Sequence, residues 1–355
     1  MLSLKAFWRE APKASPTKSS PILPPRIFRA AINMANPKSN GKPPEVNGFV
    51  NLFKPPGITS MDALRQIKRI TGQRKKVGHC GTMDPLARGV LPVCFGQATR
   101  LMDYVVDGRK IYRVEITLGA DTTTYDAEGE VVKAGDPGIV TREMVEESIR
   151  PWIGVVQQIP PMYSAIKVDG KRLYKLARAG VEVERESRPV EIHDITIIEF
   201  DTPKLVLDVE CGRGTYIRSL AHDLGEALGC GGYVADLVRL LCGGFPAEEG
   251  VTLEQLEEAV DSPEGWQQYL YPVDRVLRRL KSISLDKTAE EHLMHGQAIN
   301  LGRPQLDVEY LEERRAYNAE GVFLALVRFD KPTNTWNPVK VFQAGPPSPY
   351  ATVSV

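Results

Sequence analysis

The stretch GHCGTMDPLARGVLP, residues 78–92, is the most informative segment of this chain because it predicts a rigid, irregular loop. Its 15 residues include three glycines and two prolines, which interrupt regular elements and restrict the backbone. Asp84 precedes a proline, so its backbone is biased towards extended or turn geometry. Loops with a fixed backbone commonly present functional side chains. Asp84 is therefore a candidate functional residue, although an Asp-Pro pair also simply initiates turns.

Periodic apolar patterns on both sides of this loop predict a mixed α+β domain. Ser60 is a typical helix N-cap, and apolar residues follow it at helical spacing until Gly72. Residues 110–118 alternate between apolar and polar side chains, as in a half-buried strand with Tyr112 on the apolar face. Further strands are predicted at 50–53, 164–168, 190–200 and 204–211, and further helices at 141–150, 215–228 and 252–260. Strands outnumber crossover helices, so we expect a mixed, mainly antiparallel sheet.

A second module is predicted to begin near Ser282. A helix at 287–294 and short strands near 314–317, 322–328 and 338–342 indicate a small β-barrel. Residues 1–45 differ from both modules, with eight prolines, eight basic residues and two acidic residues. The predicted organisation is a disordered basic extension, a catalytic domain, a barrel module and a flexible tail, over residues 1–45, 46–281, 282–345 and 346–355.

Charge is segregated along the chain although the net charge is zero. Residues 54–76 carry seven basic residues and one acidic residue, whereas residues 240–274 carry eight acidic residues and no lysine or arginine. A local basic face attracts a phosphate backbone whatever the mean charge. Such a run is also common on an ordinary solvated surface, so it supports RNA binding only modestly.

The remaining composition argues against a membrane, zinc or disulfide protein. No apolar run approaches the roughly 20 residues that a membrane helix needs. The five cysteines form no CxxC pair and the five histidines form no HExxH pattern. We therefore expect reduced thiols and no metal site.

Four ordered motifs resemble the TruB family of tRNA pseudouridine synthases. Residues 78–92 resemble its loop signature, G-H-x-G-T-L-D-P-x-A-x-G-x-L-P, and residues 54–60 resemble its K-P-x-G-x-T-S. Residues 158–167 resemble Q-x-P-P-x-Y-S-A-x-K, and residues 211–218 resemble C-x-x-G-T-Y-I-R. The chain departs from the family's T-D-T at residues 122–124 and from its L-R-R at residues 237–239, positions that concern RNA contact. The second module resembles the family's small RNA-binding PUA-type domain more loosely.

This resemblance implies a role for seven residues. Asp84 would be the nucleophile, and Arg218 would pair with it and favour its carboxylate form. Tyr112 would stack on the target base, and His79 would fill the space that an extruded uridine leaves. Tyr216 and Leu237 would complete the base pocket, and Lys54 lies in the K-P-P-G turn, where it would support the loop or contact RNA. Some of these residues also fit a plainer role: Tyr112 and Leu237 in the core, His79 as a loop residue bonded to backbone, Arg218 on a helix surface, and Lys54 as either a loop support or an RNA contact.

The expected activity is isomerisation of the uridine at position 55, in the T-loop of tRNA, to pseudouridine. The reaction gains and loses no atoms, so no cofactor is implied. The expected partner is the T-arm of tRNA, with no membrane, no obligate protein partner and a monomeric state. The expected location is the bacterial cytoplasm, or an organelle if residues 1–45 are a targeting segment.

Two alternatives stay open at this point. A dyskerin-type synthase has the same catalytic loop but works with a guide RNA inside a ribonucleoprotein. A tRNA-binding or tRNA-folding protein without catalysis would need basic and aromatic groups, but no ionised carboxylate in its RNA pocket.

Overall fold

A computed structural model describes residues 46–164, 166–168, 170–302, 307–343 and 345–351. The predicted extension over residues 1–45 lies outside these residues. The strands in chain order are β1 (Gly48–Lys54), β2 (Val77–His79), β3 (Arg88–Phe95), β4 (Lys110–Leu118), β5 (Ala120–Thr122), β6 (Val131–Ala134), β7 (Gly154–Gln158), β8 (Lys167–Val168), β9 (Lys171–Arg172), β10 (Arg188–Asp201), β11 (Lys204–Cys211), β12 (Gly232–Cys242), β13 (Phe245–Pro246), β14 (Leu270–Tyr271), β15 (Ser282–Ser284), β16 (Glu313–Tyr317), β17 (Phe323–Asp330) and β18 (Thr335–Val341).

Helices connect and cover these strands. The α-helices are α1 (Ser60–Thr71), α2 (Met102–Val106), α3 (Arg142–Ile149), α4 (Leu173–Arg178), α5 (Ile217–Ala227), α6 (Leu253–Glu258) and α7 (Lys287–Met294). Short 3-10 segments lie at Gly96–Leu101, Pro137–Ile139, Arg150–Trp152, Ala247–Glu249, Ala259–Asp261, Trp266–Tyr269 and Val273–Leu277. Within the described residues, none of these helices is long and apolar enough to span a membrane.

One large sheet organises the first module, with strand order β14-β1-β3-β12-β4-β11-β10-β7. β2 pairs with β3, and β13 pairs with β12. The β3–β12 pair is parallel, and the other pairs in this sheet are antiparallel. The prediction of a mixed, mainly antiparallel sheet is therefore confirmed.

Both faces of the centre of this sheet are buried. On one face, Leu91 and Val93 of β3 pack in a core that also holds the apolar stripes of α1, α3, α5 and α6. On the other face, Val90 and Cys94 of the same strand pack in a second core. A strand covered on both sides reads as a continuous apolar run without alternation. This is why the sequence pattern did not identify β3 as a strand.

Local details also differ from the predicted elements. The N-cap of α1 is Thr59, which forms a capping box with Asp62, so Ser60 is the first helical residue rather than the cap. The strand predicted at 164–168 is reduced to Lys167–Val168, which pairs with β9 in a short hairpin. Because Thr59 and not Ser60 caps α1, the Ser60 side chain can contact the loop that carries Asp84.

The second module contains a four-stranded sheet of order β15-β16-β17-β18, with α7 beside it. The predicted closed barrel is not seen among the described residues, and it stays a prediction. Tyr317, Phe323, Leu326 and Phe342 of this module lie in the same buried core as Phe49 and Val90 of the large sheet. The two modules therefore share a hydrophobic core.

The segment predicted to be a flexible tail from residue 346 is packed over its described part. Ser348 is buried and donates a 2.6 Å hydrogen bond to Asp274, which also accepts one of 2.6 Å from Tyr317. The main-chain carbonyl of Tyr350 accepts a 2.9 Å bond from Arg315. Residues 352–355 lie outside the described residues.

Gly89 allows β3 and β12 to pair at the end of the Asp84 loop. Its φ is +109°, and an added Cβ would lie 2.3 Å from the main-chain oxygen of Arg239. We expect Gly89→Ala to lower the free energy of unfolding by about 3 kcal/mol, because backbone strain and overpacking add.

Gly229→Ala is the matched control, because Gly229 also has a positive φ but an added Cβ would meet nothing within 4 Å. Chemical denaturation of both variants measures the difference. Equal losses of stability would show that close approach to Arg239 is not what constrains residue 89.

Candidate active site

The loop between β2 and β3 holds Asp84 by a set of main-chain anchors. The Asp84 carbonyl accepts a 3.2 Å bond from the Ala87 amide, which closes a tight turn. The hydroxyl of Ser60 accepts a 2.7 Å bond from the Met83 amide and lies 3.2 Å from the Met83 carbonyl. The amide of Gly57 donates a 2.8 Å bond to the Pro85 carbonyl. Residues on both sides of Asp84 are therefore fixed to the β1–α1 connection.

Lys54 is fully buried under this loop. Its ammonium donates to the carbonyls of Pro55 at 2.8 Å, Ile58 at 2.7 Å and Pro85 at 3.3 Å. Burial lowers the pKa of Lys54 to about 8, while the nearby Asp84 carboxylate opposes this shift. Lys54 does not line the cavity beside Asp84. Of the two roles that the sequence left open for it, this geometry favours support of the loop.

Arg218 binds Asp84 in a bidentate arrangement. Its Nε donates to one carboxylate oxygen at 2.9 Å and its Nη2 donates to the other at 2.7 Å. Arg218 lies in the first turn of α5, and its side chain is only 4% exposed. Parallel guanidinium–carboxylate bonds fix orientation as well as charge. The two residues are therefore oriented as one unit.

The rest of the Arg218 guanidinium is held from the opposite side. Nη1 lies 3.3 Å from a carboxylate oxygen of Asp126 and donates to the Thr124 carbonyl at 3.2 Å. Nη2 also donates to the carbonyl of Tyr163 at 2.8 Å. Arg218 is thus shared by two carboxylates, and Asp126 is buried whereas the Asp84 side chain is 31% exposed. Only Asp84 presents its carboxylate to open space.

The electrostatics of Asp84 combine two opposing effects. Burial raises the pKa of Asp84 above its ordinary value, and the neighbouring Asp126 carboxylate adds to this. The Arg218 guanidinium opposes both by stabilising the charged form. A carboxylate can attack carbon only when it is ionised and positioned, and Arg218 favours both conditions.

Asp84 opens onto a cavity of about 520 Å³. Three side chains predicted for a base pocket line it, namely Tyr112, Tyr216 and Leu237. Burial raises the pKa of Tyr112 to about 12, so its phenol is protonated at neutral pH. Arg218 is not among the lining residues, since it reaches Asp84 from behind the wall.

His79 is placed differently from the other predicted site residues. It ends β2, immediately before the loop, and does not line the cavity. Burial lowers the pKa of His79, and the positive charge of Arg239 adds to this effect. Its Nδ1 is buried and has no hydrogen-bond partner among the described residues. The predicted role of His79 in filling the space of an extruded base stays a prediction.

The structure also brings in three residues to which the sequence analysis gave no role. The side-chain amide of Gln158 bonds both the amide and the carbonyl of Tyr216, at 2.7 and 2.9 Å. Asp126 binds Arg218, and Arg239 bonds the main chain of the Asp84 loop. Gln158 and Arg239 lay inside motifs that the sequence analysis quoted, whereas Asp126 carried no signal. Within the described residues, no cluster of three His, Cys, Asp or Glu side chains is placed to bind a metal ion.

We expect Lys54 to make stability depend on alkaline pH. Its pKa of about 8 in the folded protein is below the value of 10.5 for a free lysine, so the unfolded chain binds this proton more tightly. The stability of the parent relative to Lys54→Met should therefore rise with pH between these two values, by about 3 kcal/mol in total.

Denaturant titrations of both proteins at pH 7.5 and 10.5 test this. The contributions of other titrating groups cancel when the free energy of unfolding of the variant is subtracted from that of the parent. A constant difference would mean that Lys54 keeps an ordinary pKa.

Two family models together match more than half of this chain. Residues 68–217 match the model for the N-terminal domain of TruB family pseudouridylate synthase, and residues 218–278 match that for the C-terminal domain of tRNA pseudouridylate synthase B. The tRNA pseudouridine synthase B of Clostridium acetobutylicum is 42% identical over 79% of this chain and 95% of its own length. That of Dehalococcoides mccartyi is 42% identical over 86% of this chain and its full length.

A similar fold occurs in a solved structure of a Cbf5-Nop10-Gar1 complex. The matched chain has a TM-score of 0.63 and 24% identity, over 86% of this chain and 87% of its own length. At this identity the likeness concerns the fold alone. The two tRNA pseudouridine synthases B are more similar to this chain in sequence. The chain belongs to the TruB family of pseudouridylate synthases.

Proposed function

We propose that this protein is a tRNA pseudouridine synthase that isomerises the T-loop uridine at position 55 of tRNA. The observation that carries the proposal is the Asp84 carboxylate, bound in bidentate fashion by buried Arg218 at the wall of the cavity. The relatives named tRNA pseudouridine synthase B support the choice of tRNA as substrate. The enzyme acts without a cofactor, a guide RNA or an obligate protein partner, as a monomer in the bacterial cytoplasm.

Asp84 is the nucleophile in this proposal. The reaction breaks the bond between ribose C1′ and uracil N1 and forms one between C1′ and C5. N1 gains a proton and C5 loses one, so the product is an isomer of the substrate. Direct attack at C1′ and removal of a ribose proton both require an ionised carboxylate held against the nucleotide. Arg218 keeps Asp84 ionised and aimed.

The cavity suits a single extruded nucleotide. Its volume of about 520 Å³ lies within the usual range for small-molecule sites, about 300–1,000 Å³. A base inside a stacked loop must leave the stack before its glycosidic bond is accessible. Tyr112 provides an aromatic face for the base, Tyr216 and Leu237 complete the pocket, and His79 takes the vacated place in the stack.

Two surfaces support RNA binding. Helix α1 presents exposed basic side chains, including Arg65 and Arg69, which are 70% and 72% exposed. The second module, residues 282–345, is proposed as a PUA-like RNA-binding domain beside the catalytic domain, residues 46–281. The shared core supports a fixed orientation of this module relative to the cavity.

The Asp84→Asn variant tests the catalytic assignment. An amide is nearly isosteric but is not nucleophilic, so single-turnover formation of pseudouridine in a T-arm RNA should fall by at least about 10⁴-fold. Asp208→Asn is the matched control, because Asp208 also accepts two 2.8 Å bonds from an arginine, Arg113, but does not line the cavity.

Only the Asp84 variant should lose activity. Parental rates in Asp84→Asn would exclude this carboxylate as the nucleophile, and inactivity of the parent on bare RNA would indicate a guide-dependent enzyme.

The basic face should make tRNA binding depend on salt. We expect the logarithm of the association constant to fall linearly with the logarithm of salt concentration between about 50 and 200 mM, and Arg69→Gln to reduce the slope by about one. The control is Arg142→Gln, an exposed arginine outside the basic segment. Filter binding measures this slope for the parent and for the two variants. An unchanged slope in Arg69→Gln would place the phosphate contacts elsewhere.

A further inference from the structure

Arg239 is a fully buried arginine in the wall of the cavity, with only 1% of its surface exposed. In the part of the chain that the structure describes, the hydrogen bonds of Arg239 go to main-chain carbonyls and not to a carboxylate, and its charged and polar neighbours include Cys80, Tyr112 and Lys54. Burying a cation without a carboxylate partner is costly unless its donors are used. Its hydrogen bonds should therefore account for its position.

Those hydrogen bonds join the start of the Asp84 loop to the strand β3 that follows it. Nε donates to the carbonyl of Val90 at 2.6 Å, and Nη2 donates to that of Gly81 at 3.3 Å. Gly81 precedes Asp84 in the chain and Val90 follows it. The planar guanidinium presents its donors in a fixed fork, so it fixes the distance between the start of the loop and β3.

The same side chain also reaches the aromatic wall of the cavity. Arg239 lies directly opposite Tyr112 in the β12–β4 pair, so the two side chains project from the same face of the sheet, and both line the cavity. A register shift follows between Arg239 and Leu241. Such bulges re-aim side chains beside functional sites. One guanidinium thus contacts both the loop of the carboxylate and the tyrosine across from it.

We propose that Arg239 is a positioning residue that sets the Asp84 carboxylate and the Tyr112 phenol at a fixed separation across the cavity. This inference rests on the proposed function. Arg239 acts through these two residues, so its loss slows the chemical step and leaves tRNA affinity unchanged. A residue that served stability alone would not act through Tyr112 in particular.

The first test is Arg239→Lys, which retains the charge but loses the fork. We expect the single-turnover rate at saturating protein to fall by about 100-fold, the effect of a small misplacement of reacting groups. Arg315→Lys is the matched control. Arg315 is also buried, and it bonds the carbonyls of Leu280 and Tyr350 and the hydroxyl of Tyr317, away from the cavity.

Both variants should lose similar thermal stability, and only Arg239→Lys should lose rate. Parental rate in folded Arg239→Lys would overturn the inference. If the inference about Arg239 fails, an active parent and an inactive Asp84→Asn in the same assay would show that the proposed function still holds.

A second test asks whether Arg239 acts through Tyr112. In a double-mutant cycle with Tyr112→Phe, the loss caused by Arg239→Lys should be smaller than in the parent, because the phenol beside the guanidinium is already absent. Equal losses in both backgrounds would contradict the link.

NMR of ¹⁵N-labelled arginine side chains provides a measurement that needs no Arg239 variant. Tyr112→Phe should shift the Arg239 guanidinium signals, whereas Tyr216→Phe should leave them in place. Unshifted signals in Tyr112→Phe would overturn the inference even if Arg239→Lys failed to fold.

Discussion

The bidentate ion pair between Asp84 and Arg218 is the interaction on which the rest of the site depends. It joins residues 134 positions apart and brings the β2–β3 loop against the start of α5. Carboxylates stabilise a buried guanidinium, and Arg218 is compensated by Asp84 and Asp126 together. Since Asp84 faces the cavity and Asp126 does not, this shared cation orients one carboxylate towards the cavity while the other anchors it.

The loop can hold that carboxylate because the strand that follows it is fixed on every side. The side chains of β3 pack in one core on one face and in a second core on the other. Its main chain pairs with β1 and β12, and Gly89 permits the close approach to Arg239. Dense packing on both faces resists any shift of the loop. The rigidity of the site is therefore a property of the sheet as well as of the loop's glycines and prolines.

The second module is bound to this framework by packing and by a buried polar network. Tyr317 and Ser348 both donate to Asp274, and burial raises the pKa of that carboxyl. Its other oxygen is buried without a partner among the described residues. A buried carboxyl group destabilises the folded protein if its hydrogen bonds are lost, so the geometry around Asp274 has to be kept. The arrangement therefore favours one orientation of the module relative to the cavity.

Local sequence determined much of the secondary structure and the identity of the central residues. The period of apolar residues located α1, β4, β11 and α5 closely, because it is written in consecutive positions. Family motifs identified Asp84, Arg218 and the residues of the pocket wall. Only the tertiary structure decided that β3 and β12 are central strands, that Lys54 lies under the loop, and that Arg239 and Asp126 complete the site. These outcomes depend on pairing and burial between distant segments, and no single stretch of sequence records which segments will meet.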